Sequence, residues 1–212
     1  MGKAKAKEML FWTKEEYQSF IEVMKEKPVS YYAFELLYWC GIREGELLAL
    51  TMEDFDLEKK ILRINKSYQR INGRDVITDP KTERSNRLVV LPDFLCEEME
   101  DYFESLGKSN KKARIFPGTK GKMHHLMDRY SEIAGVKRIR IHDLRHSCAA
   151  LLINNDVSTF VIADRLGHQN AHVTEVYAHL YPSAQTDMAK KLDTVVEANS
   201  GMKYGGKYDE TV

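Results

Sequence analysis

The sequence has 212 residues, of which 43% are hydrophobic and 30% are charged, enough for one globular domain with tails. No apolar run approaches the roughly 18 residues that a membrane-spanning helix needs, and the lysine- and alanine-rich N-terminus lacks the apolar segment of a signal peptide. These features exclude an integral membrane protein, so we expect a soluble, cytoplasmic protein with no membrane partner.

The net charge is zero, which excludes a uniformly cationic protein that coats nucleic acid. The basic residues are nevertheless unevenly distributed along the chain. Residues 59–90 contain 9 basic and 3 acidic side chains, and residues 108–146 contain 11 and 3. Two basic segments in a neutral chain fit a basic groove on one face, although charge runs alone are more typical of solvated loops.

The N-terminal part of the chain is predicted to be helical. After a linker over residues 1–10, Thr13 and the acidic residues that follow it indicate a helix N-terminus, and this helix extends to about residue 25. Apolar spacing predicts two further helices over residues 30–40 and 44–50, with Gly41 ending the first of them.

From residue 60 the apolar pattern changes to a period of two, which indicates strands. We expect a small three-stranded antiparallel sheet formed within residues 61–71, 76–78 and 87–91. Asn72-Gly73 is typical of a hairpin turn. A polar loop over residues 79–85 connects the second and third strands and carries Lys81 at its tip.

The rest of the chain is again predicted to be helical. The expected helices lie over residues 94–106, 122–134, 141–154, 158–167, 173–178 and 184–196. We therefore expect an α+β, mainly helical domain over residues 11–198, followed by a disordered tail over residues 199–212.

Neither the cysteines nor the adjacent histidines predict a metal site. Cys40, Cys96 and Cys148 lie far apart in apolar surroundings, so we expect buried free thiols. His124 and His125 point apart if they lie on a helix, and no third ligand is spaced nearby. A surface pair is the better interpretation.

Seven polar residues lie where a functional side chain is expected, yet each alone also suits an ordinary structural role. His142 and Arg145 are three apart at a predicted helix start, where the helix dipole favours an anion. Arg43 follows a helix-ending glycine, and Glu46 is placed to orient it. The other three are a lysine in a loop, a histidine after a glycine and a tyrosine on a short predicted helix: Lys81, His168 and Tyr177.

Taken in chain order, these residues resemble the signature of the tyrosine recombinase, or phage-integrase, family. Residues 40–50, CGIREGELLAL, resemble the family's first arginine box, and residues 79–92, DPKTERSNRLVVLP, resemble the hairpin that presents a lysine. Residues 142–146, HDLRH, match the second box, and residues 166–168, LGH, match the third. Tyr177 follows at the customary interval. The ordered set is highly specific and the resemblance extends over residues 11–196.

The resemblance implies a tyrosine recombinase catalytic fold and a set of site residues. The implied catalytic residues are Arg43, Lys81, His142, Arg145, His168 and the nucleophile Tyr177, with Glu46 in a supporting role. Such an enzyme cuts and rejoins DNA strands through a covalent 3′-phosphotyrosine, without a metal or another cofactor. The two arginines would bind the scissile phosphate, His142 would act as base, and Lys81 would protonate the leaving 5′ oxygen.

The resemblance also implies partners. We expect double-stranded DNA as substrate, a homotetramer on that DNA, and association with the nucleoid of a bacterial cell during integration or excision of a mobile element. Family members usually carry a helical DNA-binding domain before the catalytic one, whereas only a linker precedes Phe11. We therefore expect a fragment or a minimal form.

Two alternatives remain open. A type IB topoisomerase uses the same chemistry, although the length of the chain and the spacing of the boxes suit a recombinase better. A non-catalytic DNA-binding regulator could use residues 157–179 as a helix-turn-helix. That alternative leaves Arg43, Lys81 and His142 without a common purpose.

Overall fold

The computed structural model describes residues 10–80, 85–107 and 110–167 of the chain. Within these ranges the protein is mainly helical, as predicted. The helices are α1 Lys14–Met24, α2 Pro28–Cys40, α3 Glu44–Leu47, α4 Asp93–Leu106, α5 Lys120–Ile133, α6 Asp143–Asn154 and α7 Thr159–Leu166. The strands are β1 Phe55–Asp56, β2 Ile61–Ile64, β3 Ser67–Ile71, β4 Arg74–Thr78 and β5 Arg87–Val90, and Met52–Asp54 forms a 3₁₀ turn. The helices predicted over residues 173–178 and 184–196, the tail and most of the N-terminal linker lie outside the described residues.

The strands form two antiparallel sheets. A three-stranded sheet has the order β1-β2-β5, and β3 pairs with β4 in a separate hairpin. The sequence predicted one sheet of three strands within residues 61–71, 76–78 and 87–91, and this grouping is wrong. β2 and β5 pair as expected in one sheet, but its third strand is β1, and β3 and β4 form the separate hairpin. Lys66 explains the separation, because its Nζ donates to Asp54 Oδ1 at 2.9 Å and to Thr51 Oγ1 at 3.2 Å between β2 and β3. These contacts turn the chain out of the first sheet before the hairpin begins.

Local interactions define where the first helices begin and end. Thr13 Oγ1 accepts from the Glu16 amide at 3.3 Å, and the Glu16 carboxylate accepts from the Thr13 amide at 2.8 Å. This capping box starts α1. α2 ends at Gly41, whose φ of +60° lies in the left-handed region that glycine adopts without strain.

Helix α3 is shorter than predicted, since it ends at Leu47 instead of Leu50. The reason is a tertiary contact that the sequence does not indicate. The carbonyl of Leu50 accepts from the Ile115 amide at 2.9 Å, and Thr51 forms an antiparallel bridge with Arg114. The chain leaves the helix after one turn to make this pairing.

The core lies between α2 and the helices that surround it, α1, α4 and α6. Trp12, Phe20 and Phe34 are buried together. The ring centroids of Trp12 and Phe20 are 4.7 Å apart, and those of Phe20 and Phe34 are 4.9 Å apart. The Trp12 amide donates to Ser147 Oγ at 2.9 Å, which fixes the start of α1 against α6. Packing of this kind around one central helix stabilises the fold mainly through apolar burial.

The cysteine prediction is confirmed. Cys40, Cys96 and Cys148 are buried and free. In the described ranges, no helix combines the length and apolar character required to cross a membrane.

Candidate phosphate-binding site

Arg43 lies between the end of α2 and the start of α3, where Glu46 holds both its backbone and its side chain. The Arg43 amide donates to Glu46 Oε2 at 2.9 Å, and Arg43 Nη1 donates to Glu46 Oε1 at 2.7 Å. Arg43 stands at the N-cap of α3 and Glu46 three residues later, so one carboxylate reaches both groups. The sequence predicted this contact from the spacing of the two residues.

Arg145 reaches the same region from α6. Its Nη1 donates to the carbonyl of Gly41 at 2.7 Å, and its Nη2 donates to the carbonyl of Leu166. Arg43 Nη2 donates to the next carbonyl of the chain, that of Gly167, at 3.3 Å. The two guanidinium groups therefore converge on the C-terminal end of α7.

Gly41 permits this close approach. A Cβ atom there would clash with Leu166 and lie 3.1 Å from Cys148 Sγ, so only glycine fits between α2, α6 and α7. α3 is similarly tight, because a Cβ on Gly45 would lie 2.6 Å from Ser67 Oγ on β3. The backbone around Arg43 is thus fixed on both sides.

Arg87 is a member of the cluster that the sequence analysis did not identify. It lies on β5, and its Nη1 and Nη2 donate to Glu46 Oε1 at 3.1 Å and Oε2 at 2.9 Å. The signal was present in the strand pattern, since Val89 faces the core and residues two apart share a face. An arginine at such an inward position requires a buried anionic partner.

The cluster contains three guanidinium groups and one carboxylate. Burial, followed by the positive charges of Arg43 and Arg87, lowers the pKa of Arg145 to about 9. Burial would raise the pKa of Glu46, but its hydrogen bonds and ion pairs with Arg87 and Arg43 outweigh that effect and hold the pKa below its usual range. Glu46 is therefore ionised, and the surplus positive charge favours an anion.

His142 lies at the N-cap of α6, one turn before Arg145. Burial and the charge of Arg145 lower the pKa of His142 below its ordinary value of 6.5, so the imidazole is neutral at pH 7. Its ring is perpendicular to that of His146, with centroids 5.0 Å apart. Asp143, which is fully buried, accepts from the Arg140 amide at 2.8 Å and fixes the turn that carries His142.

The structure brings Arg43, Glu46, His142 and Arg145 into one region. Lys81, His168 and Tyr177 lie outside the described residues. Gly167, which directly precedes His168 in the chain, accepts from Arg43. Ser85, four residues after Lys81, accepts through its carbonyl from Arg87 Nη1 at 3.4 Å.

His124 and His125 are both exposed on α5, as predicted for a surface pair. His124 Nε2 lies 3.4 Å from Glu44 Oε1. Across residues 10–80, 85–107 and 110–167, no three or more histidine, cysteine or carboxylate side chains are grouped so that they could hold a metal ion.

The arrangement suits an oxyanion with several acceptor oxygens. Guanidinium groups donate in a planar fork that matches a phosphate, and a partly buried site strengthens such charge-assisted bonds. The neutral imidazole of His142 can accept a proton beside them.

Comparison with known proteins places the chain in a family. The Phage integrase family profile matches residues 11–184. The ICEBs1 integrase of Bacillus subtilis (strain 168) is 33% identical over 205 residues, which cover 90% of this chain and 56% of that protein. A tyrosine recombinase of Pseudothermotoga lettingae is 30% identical over 184 residues, which cover 84% of this chain and 58% of that protein. The chain thus spans little more than half the length of these relatives.

Solved structures show the same fold at lower identity. The Tn1549 transposon integrase, solved in complex with transposon right end DNA, has a TM-score of 0.74 at 20% identity, covering 88% of this chain and 66% of that one. The catalytic domain of bacteriophage HP1 integrase has a TM-score of 0.61 at 18% identity, covering 94% of this chain and 100% of that one. The predicted fold class is confirmed. Since the family profile matches most of the sequence and relatives at least 30% identical cover more than four fifths of it, the chain belongs to the phage integrase family of tyrosine recombinases.

Proposed function

We propose that the chain is the catalytic domain of a site-specific DNA recombinase, an integrase that acts in the integration or excision of a mobile genetic element. It would cleave and rejoin DNA strands through a covalent 3′-phosphotyrosine intermediate. The observation that carries the proposal is the convergence of Arg43 and Arg145 on the C-terminal end of α7. Membership of the family supports the same chemistry.

In this proposal the two arginines bind the non-bridging oxygens of the scissile phosphate, most tightly as negative charge develops in the transition state. The hydroxyl of Tyr177 attacks phosphorus while its proton passes to neutral His142. The bond between phosphorus and the 5′ oxygen breaks, and Lys81 supplies the proton that this oxygen takes up. His168 adds a hydrogen bond to the phosphate.

The energetics make further components unnecessary. The phosphotyrosine link is a phosphodiester like the bond that was broken, so rejoining needs no nucleotide cofactor. The arginines provide the positive charge that other phosphoryl-transfer sites take from metal ions, so we infer a metal-independent reaction.

Double-stranded DNA is the proposed substrate. The two basic segments of the sequence meet in space, because Arg70 and Lys120 line the same surface cavity together with Tyr68 and Thr119. A groove that collects positive charge from separate segments binds a phosphate backbone. We further propose that the enzyme works as a homotetramer on two DNA duplexes in the cytoplasm of a bacterial cell.

The proposal is tested by capturing the covalent intermediate. The 212-residue chain is incubated with a pool of randomised DNA duplexes, each nicked so that the strand end is lost after cleavage and the adduct is trapped. Protein-linked DNA is then isolated under denaturing conditions and sequenced. We expect an adduct in the wild type and none with Tyr177→Phe, with the same target sequence recovered in repeated selections.

Three results would overturn the proposal. An equal adduct in Tyr177→Phe would assign the nucleophile to another residue. Specific binding of a selected sequence without any adduct would indicate a regulator that only binds DNA. Recovery of adducts with no sequence preference, together with relaxation of supercoiled DNA, would indicate a topoisomerase instead.

A further inference from the structure

Arg87 is the most buried cation in contact with Glu46. The Arg87 side chain is 7% exposed, whereas that of Arg43 is 37% exposed. Arg87 donates four hydrogen bonds to protein groups: two to the Glu46 carboxylate, one from Nε to the carbonyl of Arg165 at 2.9 Å, and one to the carbonyl of Ser85. Of the two arginines bound to Glu46, Arg43 is therefore the one that reaches solvent, and Arg87 lies on the buried side of the carboxylate.

Glu46 connects the two arginines. Each carboxylate oxygen accepts one bond from Arg87 and one from Arg43. An ionised carboxylate offers about four lone-pair sites, so these four bonds occupy its acceptor capacity. The fork of Arg87 fixes the rotation of the carboxylate, and the carboxylate in turn fixes both the backbone amide and the guanidinium of Arg43.

The bond to Arg165 extends this support to a second element. Arg165 lies in the last turn of α7, two residues before Gly167, whose carbonyl accepts from Arg43 Nη2. Arg87 thus touches both groups that hold the Arg43 guanidinium, Glu46 on one side and the end of α7 on the other. One side chain on β5 links α3 with α7.

We propose that Arg87 is a positioning residue for phosphate activation: through Glu46 and the end of α7 it holds Arg43 in the orientation that binds the scissile phosphate. This inference rests on the proposed function, in which Arg43 contacts that phosphate. Arg87 itself touches no substrate atom. Its loss would leave Arg43 in place but free to change its orientation.

The inference predicts a charge-selective defect. A methylphosphonate at the scissile position replaces one non-bridging oxygen by a methyl group and removes the negative charge that Arg43 would bind. A variant with a misplaced Arg43 should therefore lose cleavage of the ordinary phosphate far more than cleavage of the methylphosphonate. Damage to the fold as a whole would reduce both reactions by the same factor.

The experiment uses the duplex selected in the adduct-capture test, prepared with a phosphate and with a methylphosphonate at the cleaved position. Single-turnover adduct formation is measured on both for wild type, Arg87→Met, Arg87→Lys, Glu46→Gln and Arg43→Ala. Arg63→Met is the matched control, because Arg63 is exposed on the neighbouring strand β2. The ratio of the two rates is taken within each preparation, so a reduced folded fraction cancels.

We expect Arg87→Met to lower phosphate cleavage on the order of 100-fold and to change methylphosphonate cleavage by less than about threefold, in the pattern of Arg43→Ala. Arg87→Lys should show the same selectivity, since a lysine retains the charge but lacks the fork. Arg63→Met should leave the ratio unchanged.

An equal loss on both substrates in the Arg87 and Glu46 variants, or no loss at all, would overturn the inference and leave the proposed function intact. If Arg43→Ala did not lose phosphate cleavage more than methylphosphonate cleavage, the assignment of Arg43 to the phosphate would fail, and the role of Arg87 would fail with it. The two failures are therefore distinguishable.

Discussion

His142 illustrates how a single residue acquires its chemistry from its position. It stands at the N-cap of α6, where burial and then the charge of Arg145 lower its pKa below 6.5. In its proposed role as base, His142 must be unprotonated, so the lowered pKa would extend the pH range of activity to more acidic solutions. A solvated histidine would lose half of its activity near its ordinary pKa.

We expect adduct formation at subsaturating protein, which reports the free enzyme, to fall as the pH is lowered, with the midpoint of this acidic limb below 6.5, the ordinary pKa of histidine. His142→Asn should remove this acidic limb and slow the reaction on the order of 100-fold. The measurement is a pH–rate profile of both proteins on the selected duplex, with His125→Asn on exposed α5 as control. An acidic limb that persists in His142→Asn would assign the titration to another group.

At the scale of elements, α1, α2 and α4 meet around two buried or half-buried carboxylates. Tyr17 of α1 donates to Glu35 Oε1 of α2 at 2.8 Å, and Tyr31 of α2 donates to Glu98 Oε1 of α4 at 2.7 Å. Burial, and then the charge of Glu98, raises the pKa of Glu35 to about 7. The folded protein therefore binds a proton there that the unfolded chain releases.

The sign of the pH dependence follows from this shift. The stabilising contribution is fully present below the unfolded pKa of about 4.5 and is lost as the pH rises through about 7. We expect Glu35→Gln to weaken the pH dependence of the free energy of unfolding by about 2 kcal/mol between about pH 5 and about pH 8. Urea unfolding at several pH values measures it, with Glu58→Gln at an exposed position as control. An unchanged slope in Glu35→Gln would contradict the assignment.

The β3–β4 hairpin is a second element whose position depends on one side chain. Arg114 lies over the ring of Tyr68 with its Cζ 4.4 Å from the centroid, and its Nη2 donates to Asp75 Oδ2 at 2.8 Å. Its Nη1 donates to the carbonyl of Leu48 at 3.1 Å. Arg114 thus joins the hairpin to the segment that follows α3, and Lys81 comes three residues after the end of β4 in the chain.

We expect Arg114→Met to loosen the hairpin without unfolding the domain, because an isolated two-stranded hairpin is only marginally stable. Amide hydrogen exchange in β3 and β4 should accelerate about 10- to 100-fold, while amides of α2 keep their protection. Arg129→Met is the control, since Arg129 stacks over the adjacent Tyr130 on α5 and not across elements. Equal acceleration in α2 and in the hairpin would show a global loss of stability instead.

At the scale of the whole molecule, the sequence predicted local patterns well and long-range partners poorly. The cap at Thr13 and the helix end at Gly41 depend on neighbours in the chain, and both were predicted. The contact of Arg43 with Glu46 was also predicted, because the two residues are only three positions apart in the chain. The pairing of Glu46 with Arg87 was not, since the two residues are 41 positions apart in the chain and only the fold brings them together.

The sheets follow the same rule. The strand pattern was visible, but the separation of the hairpin depends on Lys66 reaching Asp54, a contact across 12 residues. Strand β1 has only two residues and carries no periodic signal. The family motifs placed Lys81, His168 and Tyr177 in the site, and their roles remain predictions.

The distribution of charge gives the last prediction for the whole molecule. Residues from both basic segments line one cavity, with Arg70 on β3 and Lys120 at the start of α5, although the net charge of the chain is zero. We expect DNA affinity to fall steeply between about 50 mM and about 200 mM salt, with a slope of about 0.9 in log–log form for each phosphate neutralised. Arg70→Gln combined with Lys120→Gln should reduce the slope by about 2.

Lys14→Gln combined with Lys25→Gln, on α1 and at its end, removes as much charge from outside both segments and should leave the slope unchanged. Fluorescence anisotropy of a labelled duplex over a salt series measures both. Equal reductions of the slope in the two double variants would mean that DNA binding depends on the net charge of the chain and not on a localised groove.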